Sequence, residues 1–276
     1  MHEELYKAAD NEKDAFARLT SIIRVLRSPE GCPWDREQTH ESLIRGMVEE
    51  AYEVVAAIEK KDYKNLQEEL GDVLLQIVMH AQISEAAGKF SMTDIANTVS
   101  EKMLRRHPHV FGKNSSENPQ SKAIPIDKVL ELWEDIKRDE KRINSQTEEM
   151  KNIPRHLPAL LRSEKIQEKA KRVGFDWNDV SEAFLKIKEE TMELEEAYTL
   201  RNKSHIRHEL GDLLCSVVNV SRFLDIDPEE ALNLNSERFI RRFSHIENQA
   251  ALQGLSMSDM TLAEMDRLWE QAKLLE

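Results

Sequence analysis

Residues 49–53 read EEAYE and residues 69–72 read ELGD; EETME and ELGD return at 189–193 and 209–212. Superposed, Glu50, Glu53, Glu69 and Asp72 fall on Glu190, Glu193, Glu209 and Asp212 with one constant offset of 140 residues and no gap. Solenoid repeats have periods of roughly 20–50 residues, so a recurrence this long reads as a duplicated domain. The chain is thus expected to consist of two related halves.

Composition narrows the class. The 276 residues are enough for two medium domains, each with its own core. Hydrophobic residues make up 40% and charged residues 33%, while Gly and Pro number only eight each, a texture of long helices rather than of turn-rich β structure. A formal charge of −13 argues against a nucleic-acid binder, whose affinity draws on clustered Lys and Arg. A phosphate ligand would need a cation between itself and the carboxylates. The longest apolar runs, such as VLLQIVM at 73–79, are far shorter than the roughly 20 residues of a membrane span. The acidic start MHEELYKAADNEKDAF lacks a signal-peptide core. Cys32 and Cys215, without CxxC spacing, suit reduced thiols of a cytoplasmic protein.

Periodicity predicts helices over about 40–60, 66–87, 91–107 and 126–142 in the first half. The second half answers with about 179–200, 205–224, 228–253 and one opened by the capping box TLAE at 261–264. Asp227-Pro228 is a strong helix start, and GKNSSENPQSKA at 112–123 is loop-like. NSQTEEMKNIPRHLPA, with two prolines and no sustained apolar face, is the natural linker. The expected organisation is all-α: two tandem four-helix domains, 15–143 and 161–276, joined by a linker over 144–160.

Residues three apart share a helix face, so Glu190 pairs with Glu193 and Glu209 with Asp212; the short turn LRNKS makes the two helices antiparallel neighbours. Four carboxylates at one level repel unless cations lie among them, and an all-oxygen donor set suits Mg²⁺ or Mn²⁺ rather than zinc. Any single ExxE on a helix is ordinarily a solvated face; the duplicated spacing is what favours a metal role, for Glu50, Glu53, Glu69 and Asp72 as for their copies. Gly211, costly in a helix by about 1 kcal/mol relative to Ala, suggests a close helix approach beside Asp212. A di-iron bundle is disfavoured because the one Glu-x-x-His, Glu37 to His40, is unrepeated.

The ordered set, EExxE, spacer and ExxD written twice, with GCPWD at 31–35, RRHPHVFG at 105–112 and VGFDW at 173–177, closely resembles the MazG nucleoside triphosphate pyrophosphohydrolases of the all-α NTP pyrophosphatase group. The resemblance implies Mg²⁺-dependent hydrolysis of nucleoside triphosphates between the α and β phosphates. It implies Lys186, Arg238, Arg242 and Lys273 as phosphate contacts and Trp269 as a base contact. Glu189 is the expected acceptor for the proton of the attacking water. His205 and His208 depart from the family pattern, which has a lysine and an acid there. In the first half Gly46 stands where the second has Lys186, although Lys102, Arg106, Trp133 and Lys137 are retained, and Lys137 is expected to reach a site in the other half or in a partner chain. Both halves are therefore expected to bind metal, the second carrying most turnover. A homodimer is expected, since small helical pairs complete their cores by association. Rival readings are a narrower dUTP, dCTP or phosphoribosyl-ATP pyrophosphatase, or a nucleotide-binding regulatory protein without turnover.

Overall fold

The computed structural model describes residues 2–112, 124–140, 142–143 and 145–276, and among them there is helix but no strand. The polar stretch 113–123 and Asn144 lie outside the described residues. The chain divides into two compact units, 1–137 and 138–276. No helix among the described residues is long and apolar enough to cross a membrane.

The first unit contains α1 (Glu12–Leu26), α2 (Pro33–Glu37), α3 (Ile44–Glu59), α4 (Tyr63–Ala86), α5 (Met92–Arg106), α6 (Pro108–Phe111) and most of α7 (Ile126–Glu140). Its centre is the α3–α4 hairpin, with α1 and α5 packed on α4. Ile23, Leu43, Val78 and Met79 are buried together, with Phe16, Leu19, Leu75 and Met92 packed around them. Residues before 15 belong to this unit as well: Arg18 donates through Nε to the carbonyl of Leu5 at 2.6 Å.

The second unit contains α8 (Gln146–Lys151), α9 (Ala159–Lys171), α10 (Val180–Thr199), α11 (Lys203–Phe223), α12 (Pro228–Leu252) and α13 (Leu262–Leu274). The α10–α11 hairpin is its centre; α9 packs on α11 and α13 on α12. The stretch 144–160 is not the plain connector its composition suggests. Ser145 caps α8, and Glu149, buried, holds Lys169 of α9 at 2.7 Å with Arg138 and Arg172 each at 3.7 Å. Charged residues that a linear reading assigns to solvent are here folded inward as an ion cluster.

The two hairpins share one turn design. Lys61 and Arg201, at φ 54° and 52°, turn the chain through the left-handed region. Asp62 and Asn202 follow as N-caps, each accepting two backbone N–H groups of the next helix. Because the turn and its cap repeat at the same offset, the carboxylates after it keep the same register against those before it. The close approach expected at Gly211 is absent: a Cβ there, or at Gly71, would meet no atom within 4 Å. Both glycines face open space.

Candidate metal and nucleotide site

Each hairpin brings three of its four expected acids together, with Glu53 in the first and Asp212 in the second outside the cluster. Carboxylate oxygens of Glu190, Glu193 and Glu209 lie within 4.8 Å of one another, as do those of Glu50, Glu69 and Asp72. Glu190 and Glu209 are buried and Glu193 is exposed. Burial, followed by the charges of Glu190 and Glu209, pushes the Glu193 carboxyl above the ordinary range. Glu50 is raised by burial and by Asp72 and Glu53; Glu69 is raised by burial and by Glu53, which neighbours the first-half cluster.

Cations from the chain itself partly offset this repulsion in the second unit. Lys186 Nζ lies 2.7 Å from Glu190 Oε1 and 2.8 Å from Glu189 Oε1, and these bonds hold its ammonium charged far above the ordinary lysine range. His205, one turn before Glu209, places Nε2 2.7 Å from Glu209 Oε1, so the residue that departs from the expected pattern sits against the acid set. Glu190 Oε2 is nonetheless buried with no hydrogen-bond partner. An unpartnered carboxylate oxygen inside an all-oxygen cluster is the donor that a hard divalent cation requires, and the residues present fit such an ion.

In the first unit the place of Lys186 is taken differently. A Cβ on Gly46 would stand 2.9 Å from Gln76 Nε2, so the Gln76 side chain lies over the gap the missing lysine leaves. Lys137 is paired to Glu134 at 3.3 Å, and Arg106 and His107 lie against the Trp133 ring.

The remaining residues expected at the second site form a separate group on α12 and α13. Arg238 and Arg242 line a cleft of about 590 Å³, where Arg242 is paired to Glu276. Trp269 packs against Phe239 at 4.9 Å, with the Arg242 guanidinium 5.5 Å from its ring centre, and Lys273 is paired to Glu270 at 2.6 Å. Among the described residues none of these four is hydrogen-bonded or ion-paired to the acids.

What does border the acids is a cavity of about 410 Å³ that sequence reasoning did not find. Lys186, Glu190 and Asp212 line it from the hairpin, and α9 and the Gly174–Trp177 turn close its other side. Its one legible signal is VGFDW at 173–177, which in the sequence carries the family resemblance and does not mark a wall. The tie that builds it, Asp176 to Arg222, spans 46 residues and has no local pattern.

Two segments, 38–111 and 179–247, match the MazG nucleotide pyrophosphohydrolase domain. The chain is 43% identical over 258 residues to the nucleoside triphosphate pyrophosphohydrolase/pyrophosphatase MazG of Thermotoga maritima, covering 94% of this chain and 95% of that protein. It is 40% identical over 262 residues to the nucleoside triphosphate pyrophosphohydrolase of Escherichia coli, covering 94% and 97%. An uncharacterized Bacillus subtilis protein, YabN, is 47% identical over 262 residues, which span 95% of this chain and 52% of YabN. The duplicated acid hairpin and these matches together show that the chain belongs to the MazG family of nucleotide pyrophosphohydrolases.

Proposed function

We propose that the chain hydrolyses nucleoside triphosphates to nucleoside monophosphate and pyrophosphate, and that Mg²⁺, replaceable by Mn²⁺, is held by Glu190, Glu193, Glu209 and Asp212. The observation that carries this reading is the buried, unpartnered Oε2 of Glu190 within a carboxylate cluster, in a chain whose relatives are named for that activity. Held by these carboxylates, a divalent cation would supply neutralisation of phosphate charge and a more acidic water.

The protein's own groups do the rest. Lys186, a point charge on a flexible stem, exchanges its carboxylate partners for a phosphate oxygen when the triphosphate arrives. Glu189, released by that exchange, is exposed beside the cluster and accepts the proton of the attacking water. Arg238, Arg242 and Lys273 form a second basic group, and a triphosphate recruits them by displacing Glu276 and Glu270, in the same chain or from a second copy. We include a homodimer in the proposal because Leu210, Leu214 and Val217, spaced as one helix stripe on α11, are about half exposed. The two free cysteines agree with a cytoplasmic, nucleotide-pool role.

The test is Mg²⁺-dependent product analysis. Wild-type protein is expected to yield monophosphate and pyrophosphate, with chelator abolishing release. Glu193→Gln and Asp212→Asn are each expected to lower kcat by about 100-fold or more, since even outer-shell changes at metal sites cost roughly 10–100-fold. Diphosphate and orthophosphate as products would place the cut at the other bond and overturn the reading.

A further inference from the structure

Both hairpins place a hydrogen-bonding side chain at the same point beside their acids. His205 and Asn65 occupy equivalent positions at the offset of the repeat, and each is the third residue of its helix. The N-caps fix both backbones: the N–H of His205 donates to Asn202 Oδ1 at 3.2 Å and that of Asn65 to Asp62 Oδ1 at 3.1 Å. One turn further along the same helix face stand Glu209 and Glu69. His205 Nε2 lies 2.7 Å from Glu209 Oε1, and the Asn65 side chain hydrogen-bonds the Glu69 carboxylate. An imidazole nitrogen that close to a carboxylate oxygen carries a hydrogen, because two lone pairs there would repel, so His205 is the donor.

These contacts are kept where the neighbouring cation is not. On the preceding helix Lys186 binds Glu190 and Glu189, but its counterpart in the first unit is Gly46. A donor that served the phosphates together with Lys186 would have no task in the first hairpin. What the hairpins share is the carboxylate cluster, with Glu209 a member of one and Glu69 of the other. The donor changes from imidazole to amide while its acceptor stays the same; the two have in common an N–H on a short stem with few rotatable bonds. The His205 side chain is 45% exposed and that of Glu209 11%, so the ring stands at the rim and its partner inside the cluster. An exposed pair of this kind adds little to stability by itself. Carboxylates that ligate a metal, however, are themselves held by hydrogen bonds that set their orientation, and one bond to Oε1 leaves further lone pairs of Glu209 for an ion.

We propose that His205 is a positioning residue for the divalent cation: by donating from Nε2 to Glu209 Oε1 it holds that carboxylate in the orientation in which the ion is bound, without itself touching ion or substrate. The proposal rests on the reading that the acids of α10 and α11 hold Mg²⁺ or Mn²⁺. The hydrogen bond rather than a positive charge does the work, since Asn65, which carries no charge, fills the equivalent place.

The test measures Mn²⁺ binding without nucleotide, from the loss of the free-ion electron paramagnetic resonance signal. The protein used has its first hairpin silenced by Glu50→Gln and Asp72→Asn, and each variant is confirmed folded by its melt. His205→Ala is expected to weaken Mn²⁺ binding by about tenfold or more, as loss of an outer-shell partner does. His205→Gln brings an amide N–H to the reach of Nε2 and is expected to bind within about threefold of the protein that keeps His205. Should the silencing pair fail to fold, the comparison runs in the chain with both hairpins, where Ala is expected to weaken part of the Mn²⁺ binding and Gln none. A loss in Gln as large as in Ala overturns the proposal, because the hydrogen bond is then not what matters. Unchanged or tighter binding in His205→Ala overturns it as well, and in all these cases the metal reading stands. If the protein that keeps His205 binds no Mn²⁺, the metal reading itself fails and the proposal falls with it.

Discussion

His40 and His80, forty residues apart in sequence, show what a single residue adds that no spacing announces. Their Nδ1 atoms lie 2.7 Å apart, the rings stack at 5.0 Å, and His40 Nε2 meets Ser84 Oγ at 3.0 Å. One proton serves the Nδ1 pair, and a second would be repelled. Burial, followed by the charge of His40, holds His80 below the ordinary imidazole value of 6.5. Because the unfolded chain takes up that proton first, stability is full above about pH 6.5 and is lost as the pH falls through the depressed folded value. Glu50, Glu69 and Glu193, with raised values, act in the opposite sense, since acid relieves their repulsion. The wild-type and His80→Gln proteins should therefore be compared by thermal melting at pH 7.5 and 5.5. The variant is expected to lose less Tm on acidification, and an equal or larger loss would show that the pair does not titrate as described. Gly46 makes a related point: its missing side chain is plain in sequence, but the Gln76 amide over it is not, so restoring a lysine there requires that amide to swing away.

Helices were legible wherever the apolar period and caps agreed. Asp227-Pro228, Ser91 and Thr261 each open a helix with the side-chain bond their residue type predicts. The acid register was legible for the same reason, as a repeated turn holds repeated helices. The α8–α9 pair was not, because its stability comes from Glu149 buried against Lys169, an arrangement no hydrophobic pattern records. Removing one member of a buried ion pair leaves the other charge uncompensated, at a cost of roughly 3–5 kcal/mol. Glu149→Ala should accordingly destabilise the second unit by about 3 kcal/mol or more, read by denaturant titration. A change under about 1 kcal/mol would show that the cluster is solvated and that 144–160 is the simple linker its composition suggests.

At the scale of the whole molecule, duplication has left two acid hairpins with unequal surroundings. The second has Lys186 bridging Glu189 and Glu190, an unpartnered Glu190 oxygen and a lined cavity against it; the first has Gly46 with Gln76 laid over it. A metal-bound triphosphate without that lysine is held less well in line, and alignment accounts for a large part of such catalysis. The most direct test measures Mg²⁺-dependent pyrophosphate release by two double variants, Glu53→Gln/Asp72→Asn and Glu193→Gln/Asp212→Asn, each confirmed folded by its melt. The first is expected to keep most of the wild-type rate and the second to lose nearly all of it. The reverse order, with the first-half pair the more damaging, would contradict the account and move the main active site to Glu50, Glu53, Glu69 and Asp72.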